Sequence, residues 1–183
     1  MSWQTLTDRV IGDLEAWSTI DLAQEQLRTR YLSLLADEGE RALVKGVLPA
    51  HLTSSVLVVD HERTKVLLTH HRRANRWLQF GGHLEEGDTD LVAAARREGS
   101  EEAGIALESP LVPVELDAHL LVGSFGVCQE HLDVRFVTTV PGEAVPAVSE
   151  ESNDVAWFSL DRVADELGHL SRLVDRALEA LAA

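Results

Sequence analysis

The sequence predicts an α/β fold, with a mixed sheet layered between helices and a helical extension ahead of it. Three observations lead there. Apolar side chains recur every three to four residues from Trp3 to about Lys45, β-rich runs begin after Pro49, and an alanine-rich acidic helix separates two groups of strands. At 183 residues the chain fits one domain with an extension. The expected division is an N-terminal helical extension at 1–46 and a main domain at 47–183. Periodicity alone leaves the strand order open.

In the extension, Leu6, Val10, Leu14 and Trp17 form one helical stripe, and Leu22, Leu27, Tyr31, Leu34 and Leu35 roughly continue it. Ser18, Thr19 and Asp21 offer N-cap chemistry between two helices. The apolar faces of the first and last helices suit internal packing or a homodimer. Ser55–Val59 and Lys65–Thr69, joined by the turn residues Asp60–Arg63, predict a β-hairpin. The basic tract His70–Arg73 follows it, either as a solvated loop or as donors to phosphate oxygens.

The stretch from Gly81 to Ile105 opens on two glycines and an acidic loop and runs into the helix. Downstream, Val112–Leu116 and His119–Val122 are expected as two strands, with Gly123–Gly126 as a break. His131–Val140 alternates, placing Leu132, Val134 and Phe136 on one face and His131, Asp133 and Arg135 on the other. An acidic loop holding Glu143, Glu150 and Glu151 leads to a strand at Val155–Phe158. Ser159 is expected to cap a helix to about Leu167, and a last amphipathic helix is expected over about Ser171–Ala182.

Lys and Arg number 16 against 31 Asp and Glu, a formal charge of −15. That balance argues against general binding to nucleic acid or anionic membranes, while a metal can still reverse the sign inside one pocket. The single cysteine, Cys128, excludes an intrachain disulfide and a Cys-rich zinc site. No stretch resembles a signal peptide or a membrane span, so the expected location is the cytoplasm.

Glu98, Glu101 and Glu102 stand at i, i+3 and i+4, so a helix gathers three carboxylates on one side. Like charges at that spacing repel, and a hard divalent cation such as Mg²⁺ or Mn²⁺ is the natural compensation. Gly81-Gly82-His83-Leu84-Glu85-Glu86-Gly87-Asp88, continuing through Arg97-Glu98, Glu101-Glu102 and Gly104-Ile105, resembles the Nudix box. The resemblance implies a Nudix-like αβα sandwich over the main domain and a metal-dependent pyrophosphohydrolase. Its substrate would be a small molecule, a nucleoside diphosphate linked to another moiety, of the nucleotide sugar, ADP-ribose or nucleoside triphosphate type.

The resemblance also implies roles. Glu98, Glu101 and Glu102 would hold the metal, Arg97 would orient a carboxylate, and Gly82 would keep the substrate loop uncrowded. Glu150 or Glu151 would supply a base from outside the box, with Glu98 as the other choice. Arg72, His71 and Arg135 are substrate-side candidates, with His131 and Asp133 beside them. The chain departs from the pattern at Asp88, where a glutamate is usual, at Arg97, which comes one residue late, and at Phe80, where many relatives have proline. Gly99 replaces an apolar residue, at an expected cost of about 1 kcal/mol against alanine. These departures motivate an alternative, a catalytically weak Nudix module that binds a nucleotide ligand as a regulator. An isomerase of the Nudix type, which would need Cys128, is a third reading.

Overall fold

The computed structural model describes residues 1–18, 21–121 and 126–183. Helix α1 spans Trp3–Ala16, with Ser2 accepting from the Thr5 amide at 3.3 Å. Helix α2 spans Leu22–Glu38 and is capped by Asp21, which accepts from the Gln24 amide at 2.8 Å. A 3₁₀ turn, Gly39–Ala42, ends the helical region. Asp21 therefore caps as expected; Thr19 lies outside the described residues.

The strands are β1 (Ala50–Asp60), β2 (Lys65–His71), β3 (Arg76–Leu78), β4 (Phe80–His83), β5 (Val112–Leu120), β6 (Glu130–Val140) and β7 (Ser152–Ser159). They follow the order β3-β2-β1-β6-β5, with β4 paired to β1 and β7 to β2. Helix α3 spans Leu91–Ala103, α4 Leu160–Glu166 and α5 Gly168–Ala180. This is the expected α/β class, a mixed sheet with flanking helices and N-terminal helices ahead of it.

The details correct the sequence reading in three places. Val112–Leu116 and the start of the next run form one strand, β5, and its expected end at Val122 lies outside the described residues, as do residues 123–125 of the expected break. Strands β3 and β4 had no sequence signal, being three and four residues long with two glycines in the second. Helix α5 begins at Gly168, three residues earlier than the amphipathic pattern suggested.

The chain folds as two compact units, and α3 and several strands pass from one to the other. The first comprises Met1–Ser54, Gly82–Ala94 and Leu116–Val134. Here the α2 side chain of Gln24 exchanges two hydrogen bonds with the Leu116 backbone, at 2.9 and 2.7 Å, and so acts like an extra strand residue. The Tyr31 hydroxyl reaches the carbonyls of Asp117 (2.8 Å) and Asp133 (3.1 Å). Helix α2 is thus tied to β5 and β6 by largely buried hydrogen bonds, which cost stability if one partner is lost.

The second unit comprises Ser55–Gly81, Ala95–Glu115 and Arg135–Ala183. The hairpin pairs antiparallel, Val58 opposite Leu67 and Val59 opposite Val66. Strand β7 pairs antiparallel along all of β2, with Trp157 opposite Leu67. Leu57, Val59, Val66, Leu68, Val137 and Phe158 meet α4 and α5 in one core cluster. A fully buried Glu115 is ringed by Arg135 (2.9 Å), Arg176 (2.7 Å) and Arg172 (3.4 Å), so its charge is compensated three times over.

Candidate active site

Helix α3 carries the carboxylates, and its two ends are set by local chemistry. Asp90, the residue before its first turn, accepts from the Ala93 amide at 2.7 Å. Two residues earlier, Asp88 accepts from the Glu85 amide at 2.8 Å and donates its own amide to the Glu85 carbonyl at 2.9 Å. The buried Asp88 therefore locks the acidic loop into a tight turn. At the far end Gly104 adopts φ +64°, and a Cβ there would stand 2.6 Å from that of Ala147. The Ala147 amide donates to the Ala103 carbonyl at 2.9 Å, so the loop after β6 is stitched to the helix end.

The three glutamates share a helix side but not an environment. Glu102 is 4% exposed, while the Glu101 side chain is 64% exposed and Glu98 lies between at 16%. Glu102 accepts from the Gly81 amide at 3.2 Å, linking the helix to the start of the Gly-Gly pair. Arg97 pairs with Glu98 at 3.0 Å and with Glu101 at 3.5 Å. Burial pushes the Glu102 carboxyl up to about 8, and the charges of Glu98, Glu151 and Glu101 add to the rise. Burial likewise raises Glu98, partly offset by Arg97 and reinforced by Glu101 and Glu151. A set of hard oxygens with a negative field at its most buried member fits a divalent cation of the Mg²⁺ type.

Glu151, and not Glu150, is the loop carboxylate whose charge is felt at Glu98 and Glu102. Both side chains are exposed. The Glu151 carbonyl accepts from the Arg72 amide at 2.9 Å, which ties this loop to the end of the β2 hairpin strand. The Arg72 guanidinium donates to the Ser152 carbonyl at 3.1 Å. His71 is half-buried, its pKa lowered by burial and partly restored by Glu151. Its Nδ1 accepts from the Ala74 amide at 3.1 Å, so the neutral ring carries its proton on Nε2.

A domain model described as the NUDIX domain matches residues 49–178. The chain belongs to the Nudix family. Mouse oxidized purine nucleoside triphosphate hydrolase is 34% identical over 117 residues, which cover 62% of this chain and 69% of the mouse protein. Among solved structures, the E. coli dihydroneopterin triphosphate pyrophosphohydrolase superposes with a TM-score of 0.59 at 17% identity, over 72% of this chain and 96% of that one. The NUDIX domain of Shewanella oneidensis NrtR, complexed with ADP ribose, gives 0.58 at 20% identity, over 81% and 97%. A C. elegans Ap4A hydrolase gives 0.56 at 18% identity, over 72% and 97%. At such identities these structures establish the shared fold. The chain is a Nudix pyrophosphohydrolase, of a family that generally uses a divalent metal.

The departures from the Nudix box acquire physical reasons. Gly99 is not a weak point in the helix: a Cβ there would lie 2.5 Å from Val56 Cγ1 and 2.7 Å from Leu107 Cδ1. Two core side chains occupy the space, and the expected gain from alanine is overruled by packing. Asp88 is held by the turn it closes, and Phe80 is a fully buried core residue of β4. Of the substrate-side candidates, Arg135 is committed to Glu115. Asp133 is buried and accepts from Thr53 at 3.0 Å. His131 lies among other imidazoles, where burial, His51 and His119 push it down to about 4. Gly82 sits in β4, beside Gly81. The Gly81 amide and the Asp90 cap escaped sequence reasoning; an aspartate directly before an apolar helical run was the available signal for the second.

Proposed function

We propose that this Nudix protein hydrolyses the pyrophosphate bond of a nucleoside diphosphate linked to another moiety, with Glu98, Glu101 and Glu102 holding Mg²⁺ or Mn²⁺. The observation that carries this reading is Glu102, a buried carboxylate whose strongest charged neighbours are other carboxylates. A bound divalent cation supplies positive charge against the diphosphate oxygens and acidifies water. Arg97 orients Glu98 through its 3.0 Å pair, fixing one carboxylate oxygen and leaving the other to the site. Glu151 takes the proton from the attacking water, Glu98 being its competitor for that role. Water adds to one phosphorus, the bridging P–O bond breaks, and the proton remains on the carboxylate until product leaves. Arg72 and the Nε2 proton of His71, beside the Glu151 loop, donate to phosphate oxygens and offset the chain's overall negative charge. Residues 47–183 form the domain that carries this chemistry, with 1–46 as its extension.

The test is a purified-protein screen against nucleotide sugars, ADP-ribose, dinucleoside polyphosphates and nucleoside triphosphates, with Mg²⁺ or Mn²⁺, reading nucleotide and phosphate products. Metal-dependent turnover of one class, lowered by orders of magnitude in Glu98→Gln, supports the reading. Tight nucleotide binding with no turnover under either metal would replace it with the regulatory one.

A further inference from the structure

The first compact unit contains a constellation that the hydrolytic reading leaves unused. His51 on β1, His83 at the end of β4 and His131 on β6 form a near-equilateral triangle of rings, with centroids 5.1, 5.1 and 5.2 Å apart. One ring nitrogen from each lies within 4.8 Å of the other two. Histidines this close repel when protonated, and His51 is fully buried. Neutral imidazole has one donor and one acceptor nitrogen, so a trio that merely packs must find a partner for each converging nitrogen. Among the described residues the buried His131 Nε2 has no hydrogen-bond partner.

We propose that His51, His83 and His131 form a further metal site, for a borderline transition-metal cation of the Zn²⁺ class. Three imidazole nitrogens and no carboxylate in the set select Zn²⁺, Co²⁺ or Ni²⁺ over Mg²⁺, which needs oxygen ligands. In a tetrahedral site with Zn–N of about 2.0–2.1 Å, ligand nitrogens stand roughly 3.3 Å apart, so these rings need close by roughly 1.5 Å at most.

The surroundings resemble the outer support that metal-binding histidines use. The Leu48 backbone hydrogen-bonds to His51, and Cys128 Sγ lies 3.5 Å from its Nδ1. Asp117 holds His119 Nδ1 at 2.9 Å, and the His119 ring packs edge-on against His131 at 5.5 Å. Three nitrogens leave a coordination position for water or a ligand oxygen, the arrangement of open zinc sites. The set shares no residue with Glu98, Glu101 and Glu102, and its hydrogen-bonding logic is independent of them.

The experiment uses the full chain stripped by chelator, titrated with Zn²⁺ against a chromophoric competitor and with Co²⁺ by visible absorption. The expected result is a single tight equivalent with the intense d–d bands of a four- or five-coordinate nitrogen site. His131→Ala and His83→Asn should each weaken binding by at least ~100-fold, at or beyond the upper end of the 10–100-fold that loss of an outer partner costs. The triple variant Glu98→Gln, Glu101→Gln, Glu102→Gln should bind Zn²⁺ like the parent. Absence of Zn²⁺ binding, binding that survives both histidine variants, or binding lost in the glutamine triple would each overturn the site. Should the histidine variants fail to fold, the parent's Co²⁺ spectrum decides alone, because weak octahedral bands refute a three-histidine site.

Discussion

Glu102→Gln keeps the volume and one hydrogen-bond acceptor of a buried side chain while removing its charge. Its carboxyl is pushed from 4.5 to about 8, and a tenfold change in proton affinity corresponds to about 1.36 kcal/mol, so ionising it in the metal-free fold costs on the order of a few kcal/mol. The folded pKa lies above the unfolded one. The stability this group contributes is therefore complete below the unfolded value and is lost as pH rises through about 8. In chelator, the parent should lose a few kcal/mol relative to Glu102→Gln between about pH 5 and pH 9, read by urea unfolding of both proteins. Adding Mg²⁺ should reverse the order at high pH: a ligand at 100 times its Kd stabilises by about 2.7 kcal/mol, a gain the variant largely forgoes. Parallel stability curves in chelator would refute the reasoning, as would an equal Mg²⁺ gain in both proteins.

Gly99→Ala should destabilise by about 1–3 kcal/mol, despite alanine's better helix propensity, because its methyl meets Val56 and Leu107 below 3 Å; a rise in melting temperature would contradict that packing. Glu151→Gln should lower kcat by about 10²–10⁴-fold, the range for a positioned base, and Glu150→Gln should stay near the parent. Equal effects of the two on turnover would remove Glu151 from its role. Gln24→Ala leaves the buried Leu116 amide and carbonyl without their side-chain partner and should cost about 1–3 kcal/mol by urea unfolding, with little change in KM.

Much of this protein was legible in its sequence because the signals were local. Apolar spacing gave α1 and α2, β-branched runs gave the hairpin, and Ser159 marked α4, as each depends on neighbours a few residues away. The spacing of Glu98, Glu101 and Glu102 is likewise a property of one helix. Tertiary structure decided what depends on distant partners. It buried Glu102 and exposed Glu101, though both lie on one helical side, because burial depends on what packs against each position. It singled out Glu151 from its equally acidic neighbour Glu150 as the charge felt at the helix. It turned Gly99 from an apparent defect into a fitted contact, since Val56 lies far away in sequence. His51, His83 and His131 are spread over 80 positions on three strands, and only strand pairing brings their rings together. The acidic spacing is a property of one stretch of chain; the burial that raises the Glu102 carboxyl is a product of the fold.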